Sequence, residues 1–80
     1  MDCIKNIYLW KGEDISFIVL KKIEQTVSLI AEKENRGFDE VYAEFLESNT
    51  CRAIQEPRSL MWYENAEFIV DEYYREKACV

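Results

Sequence analysis

Between Ile15 and Ile30, apolar side chains return at every third or fourth position: Ile15, Val19, Ile23, Val27 and Ile30, with Ile18, Leu20 and Thr26 widening the stripe. A backbone with 3.6 residues per turn puts that spacing on one face, so the segment predicts an amphipathic α-helix. Asp14 stands where its carboxylate can take the free N–H groups of the opening turn. The helix is expected to run to about Asn35, with Gly37 as its stop. A helix with an apolar face has to bury that face against other elements, and the rest of the chain has to supply them.

The remaining segments also read as helical. In GFDEVYAEFLES, Asp39 can cap a second helix whose apolar face is Val41, Tyr42, Phe45 and Leu46, with Glu40, Glu44 and Glu47 on the other side. Ser48, Asn49 and Thr50 form a break that offers a cap for a short third helix, TCRAIQ, with Ala53 and Ile54 inward and Pro57 as its limit. The following RSLMWYE carries Leu60, Met61, Trp62 and Tyr63, an apolar load that requires at least two of them to be buried. Asn65 is placed to cap a last helix, AEFIVDEYYREKA, with Phe68, Ile69, Val70 and Tyr73 toward the core and Asp71, Glu72, Arg75 and Glu76 outside. Residues 1–13 have no clean period and fit either a short helical arm or an extended segment ended by Gly12. The expectation is one all-α domain over residues 1–80, a small bundle of three to four helices.

Composition restricts function more than it identifies it. The chain has no histidine, which removes the commonest general base near neutral pH and the most frequent zinc ligand. Cys3, Cys51 and Cys79 are widely spaced, with no CxxC pair, so metal-site spacing is absent. Cys51 near a helix start could have a lowered thiol pKa, but it has no basic neighbour in sequence, and a structural role suits it better. Gly12 and Gly37 are the only glycines and neither lies in a phosphate-binding turn, while the alternating acids of a calcium loop are missing. The close acid pairs Glu40/Glu44 and Asp71/Glu72 read as solvated helix faces. The expectation is no enzyme, no cofactor, no metal and no small-molecule ligand.

The net charge of −6 arises wholly in the second half: residues 1–36 carry six acids and six bases, residues 37–80 ten acids and four bases. Phosphate backbones attract lysine and arginine, so direct nucleic-acid binding is disfavoured. Polar residues break up the opening of the chain, and the aliphatic run Ile15–Leu20 is far too short to cross a bilayer, so a cytoplasmic protein with reduced thiols and no membrane contact is expected. Eleven aromatics are many for 80 residues, among them Trp10, Trp62, Tyr63, Tyr73 and Tyr74. Tyr73 and Tyr74 lie about 100° apart on a helix and cannot both point inward. Tryptophan and tyrosine are favoured at interfaces, and the expected partner surface is Trp62, Tyr63, Tyr74, Glu67 and Asp71.

The succession FIVLKKIEQTVSLIAEK, FDEVYAEFLES, SNTCRAIQEP, a tryptophan and YENAEFIVDEYYRE, over roughly residues 15–76, resembles short bacterial proteins of unknown function, common in Firmicutes and other anaerobes. Families similar to these are often found beside toxin-like genes, so the resemblance implies an antitoxin- or immunity-type binding role. It carries no functional residue over, because the Leu-His-Thr motif of the related families has no counterpart here. The reading of the residues is a small acidic protein-binding module that docks on a protein partner or on itself. The alternatives are a nucleic-acid regulator with a helix-turn-helix-like pair of short helices, and a self-associating structural homodimer.

Overall fold

The computed structural model describes residues 9–78, with side chains from Lys11 onward. Cys3, Cys79 and the side chain of Trp10 lie outside the described residues. Four α-helices make up the fold: α1 (Ser16–Glu34), α2 (Phe38–Leu46), α3 (Asn49–Ile54) and α4 (Ala66–Ala78). Two tight helical turns of the 3-10 type, Pro57–Ser59 and Met61–Tyr63, join α3 to α4. The fold is all-α, as the periodicity predicts.

Of the two readings open for the N-terminal segment, residues 9–14 adopt the extended one. The two-residue strands β1 (Leu9–Trp10) and β2 (Glu13–Asp14) pair antiparallel, with Leu9 opposite Asp14 and Trp10 opposite Glu13. Lys11 and Gly12 both have positive φ, 52° and 83°, which a two-residue hairpin turn of this hand requires and which glycine adopts without strain.

Helix α1 begins one residue later than its cap candidate. Ile15 is the residue at its N-cap, and the Asp14 carboxylate accepts the Ser16 N–H at 2.9 Å from just outside. Its end differs too. Asn35, not Gly37, takes the left-handed conformation (φ 54°, ψ 48°), and the N–H groups of Arg36 and Asn35 close back on the carbonyls of Ala31 and Glu32 at 3.0 and 3.3 Å. That is the double closure of a helix ended by a left-handed residue, a position asparagine tolerates best after glycine. Gly37 instead precedes α2 in extended conformation, and Asp39 lies within the first turn of α2 without capping it.

The predicted stripe of α1 is the spine of the core. Val19, Ile23, Thr26, Val27 and Ile30 are at most 1% exposed, and the Thr26 hydroxyl donates to the Lys22 carbonyl at 2.8 Å, so its burial leaves no orphan group. Against the spine pack Val41 and Phe45 of α2, Cys51 and Ile54 of α3, Trp62, and Ile69, Val70 and Tyr73 of α4. Phe45 meets Tyr73 edge-on at 5.1 Å, a favoured aromatic geometry. Each fully buried aliphatic side chain contributes about 1.5–3 kcal/mol, so one cluster of this size suffices to hold the short helices on the long one. Among the described residues every buried side-chain polar atom has a hydrogen-bond partner.

Two expectations for α4 are corrected. Phe68 is 42% exposed rather than in the core, because the core face of α4 is centred on Ile69, Val70 and Tyr73 and Phe68 turns away from it. Glu76 is more than an outward acid: its carboxylate accepts the N–H groups of Asn49 and Thr50, both at 2.9 Å, and the Thr50 hydroxyl at 2.7 Å. The C-terminal half of α4 thereby caps α3 from 26 residues away. Ser48 completes that cap from within, accepting the Cys51 N–H at 3.0 Å, and Asn65 caps α4 through the Phe68 N–H at 2.8 Å. No helix among the described residues is long and apolar enough to cross a membrane.

Candidate docking surface

Of the five residues expected to form a partner surface, Glu67 and Asp71 border one cleft, which none of Trp62, Tyr63 and Tyr74 lines. Trp62 is 6% exposed and belongs to the core, with its indole N–H donating to the Pro57 carbonyl at 2.9 Å. It is corrected from surface anchor to the side chain that pins the connection before α4. Tyr63 is 77% exposed. Tyr74 is half-buried, and its hydroxyl donates to Glu34 at 2.8 Å, tying α4 to the end of α1. Burial and then this bond to a carboxylate push the Tyr74 phenol up to about 12, so it remains a donor well into the alkaline range. Glu67 and Asp71 are exposed one turn apart on α4.

The apolar surface that does gather is elsewhere, on the first half of α1 and the start of α2. Phe17, Ile18, Leu20 and Phe38 are 75, 46, 40 and 38% exposed. Phe17, Leu20, Phe38 and the half-buried Tyr42 line a cleft of about 400 Å³ floored by Ile23, with Lys21 and Glu24 at its rim, 3.5 Å apart. Phe38 and Tyr42, one turn apart on α2, stack at 5.7 Å with their rings 16° from parallel, which makes one wall flat and rigid. Local sequence explains the exposure. SFIVLKK places consecutive apolar residues around α1, and only Val19 of those four can face a core centred on the Val19–Ile23–Val27 line. The signal legible in advance was that surplus: Phe17 and Leu20 sit three apart with Glu24 following, a second apolar ridge beginning on the side away from the core.

Acidic groups divide into those already occupied and those left open. Arg36 holds three carboxylates, Glu34 at 2.8 Å, Glu40 at 3.0 Å and Glu44 at 2.6 Å. The Arg36 guanidinium keeps both Glu34 and Glu44 below the ordinary carboxylate range, with the Tyr74 hydroxyl assisting at Glu34. For Glu76, burial acts to raise the pKa, but the Thr50 hydroxyl and the backbone N–H groups of Asn49 and Thr50 outweigh it and the net shift is downward. Glu72 pairs with Arg75 at 2.8 Å. The carboxylates of Glu32, Glu67 and Asp71, by contrast, have no ion pair or hydrogen bond among the described residues. They border a cleft of about 210 Å³ between α1 and α4, with Leu29 and Val70 as its apolar lining and Lys33 its one cation.

Cys51 is fully buried, with the Gln55 side-chain amide donating to its sulfur at 3.3 Å, so its thiol does not reach the surface. No group of three histidine, cysteine or acidic residues among the described residues is arranged to hold a metal ion. Comparison of the chain with protein-family models, with curated proteins and with solved structures finds no match.

Proposed function

We infer that the protein is a docking module that binds another protein through the α1–α2 face. The observation that carries this reading is the cleft lined by Phe17, Leu20, Phe38 and Tyr42, large apolar side chains left outside a core that is already closed and fully satisfied. A contiguous apolar surface with a charged rim marks an interaction site, because leaving such side chains in water has a cost that docking removes. Two charged residues at the rim, Lys21 and Glu24, add orientation without adding much affinity. An antitoxin- or immunity-type role, implied by the resemblance to short bacterial proteins, is one cellular form that such docking takes. A nucleic-acid regulator fits less well: α3 has six residues with Arg52 as its only cation, and the other short helices add more acid than base.

The test is co-purification from the native host with a tagged chain and its Phe17→Ser/Leu20→Ser variant. Both sites are exposed, so the variant is expected to melt within a few degrees of the parent. The expected outcome is a bound protein that the parent retains and the variant loses. Equal retention by both would place the contact away from this face.

A further inference from the structure

The chemistry of the occupant can be read from how the clefts adjoin. The apolar cleft at Phe17 and Phe38 shares Glu24 with a second cleft of about 370 Å³ over Ser28 and Leu29. That second cleft shares Leu29 and Glu32 with the one bounded by Glu67 and Asp71. Together they form one path that starts beside α2, crosses the solvent face of α1 obliquely and ends against the first turns of α4. Helix α1 has 19 residues, roughly 28 Å at 1.5 Å per residue, so the path has the length of a docked helix of several turns. Its chemistry changes along the way. The first end is aromatic and aliphatic, while the far end keeps an apolar floor, Leu29 and Val70, between the carboxylates of Glu32, Glu67 and Asp71, which outnumber the one cation there, Lys33, and form no ion pair among the described residues.

We propose that the occupant is an amphipathic helix of a partner protein with arginine or lysine clustered toward one end. Its apolar side chains fill the Phe17–Phe38 cleft and its basic end reaches Glu32, Glu67 and Asp71. This rests on the reading of the α1 face as the docking surface. A helix fits better than a strand, because the path follows side-chain ridges and offers no long sheet edge to extend. Basic rather than neutral chemistry follows from charge complementarity. Three open carboxylates beside an apolar floor favour a side chain with an aliphatic stem and a cationic head, and arginine can bridge Glu67 and Asp71, which lie one turn apart. A second copy of this chain is the poorer occupant, since each copy brings a net charge of −6.

Two synthetic probes test this on the full chain. One is a helix-forming peptide with leucine at helical spacing and arginine clustered in one half; the other replaces each arginine with glutamate. Backbone nitrogen-15 shifts of the protein are followed during titration. The expected result is that the arginine peptide perturbs both the first half of α1 and residues Glu67–Asp71, that Glu67→Lys/Asp71→Lys weakens it roughly tenfold, and that the glutamate peptide binds more weakly by at least as much. The milder pair Glu67→Gln/Asp71→Asn is expected to give a smaller loss in the same direction, which keeps the test open if the lysine variant does not fold. Equal binding of the two peptides would overturn the basic occupant while leaving the docking face standing. Loss of binding on the lysine substitutions with none on Phe17→Ser would reduce the contact to surface charge and overturn both. Absence of shifts with either peptide would overturn the proposal outright.

Discussion

Trp62 and Tyr63 are adjacent in the chain and opposite in fate, one at 6% exposure and the other at 77%. They sit in a tight helical turn after Leu60, whose left-handed backbone (φ 59°) redirects the chain, and no sequence period passes through such a segment to say which ring turns inward. Trp62→Ala is expected to cost about 3–5 kcal/mol in chemical denaturation through the cavity and the lost Pro57 hydrogen bond, while Tyr63→Ala stays within about 0.5 kcal/mol. Glu76 is a second case in which type and position were legible but role was not. On its own helix it is one more acid, and only the packing of α4 on α3 brings it to the Asn49 and Thr50 N–H groups. Glu76→Ala is expected to lower stability by about 1 kcal/mol, the usual worth of a helix cap, with the loss of amide-exchange protection concentrated in α3.

At the scale of elements, the long periodic helix was readable and its ends were not. Four returns of Val or Ile at spacings of three and four suffice to recognise α1, because each lands on the same buried face. The stop depended instead on which of Asn35 and Gly37 adopts the left-handed conformation. Both are chemically suited, and the two helix-closing hydrogen bonds to Ala31 and Glu32 decide for Asn35. Asn35→Ala is therefore expected to destabilise by about 1 kcal/mol and Asn35→Gly to be close to neutral, whereas Gly37→Ala, at φ −67° with open space around its Cα, should be tolerated. The face of α4 departs from the sequence pattern at Phe68 for a geometric reason. Phe68, Ile69 and Val70 are successive, each about 100° from the last, so all three could not face the same core, and Tyr73 selects the pair Ile69 and Val70. The same ambiguity hides the docking face in α1: Ile18, Leu20 and Thr26 all widen the stripe in sequence, and the packing buries Thr26 but leaves Ile18 and Leu20 at 46 and 40% exposure.

For the whole molecule, charge is organised as much as the core is. Arg36 gathers Glu34, Glu40 and Glu44 at the α1–α2 junction and Glu76 is held at α3, while the carboxylates of Glu32, Glu67 and Asp71 on the α1–α4 side stay open. Glu34, Glu44 and Glu76 have folded pKa values below their ordinary 4.5. Their contribution is thus fully present above pH 4.5 and is lost as pH falls through the lower folded values. Thermal melts against pH are expected to fall on that acid side, and Arg36→Met is expected to flatten the fall by returning Glu34 and Glu44 toward ordinary titration, which separates this effect from the relief of net charge. The same net charge of −6 predicts a monomer at low micromolar concentration in light scattering. The central claim is that the first half of α1 and the start of α2 form the docking face, which the path along α1 continues to the first turns of α4, and amide hydrogen exchange of the free chain against its complex with the co-purified protein tests it most directly. New protection is predicted over residues 17–33, 38–42 and 66–71; protection confined to residues 60–64 and the C-terminal half of α4, around Tyr63 and Tyr74, would contradict it.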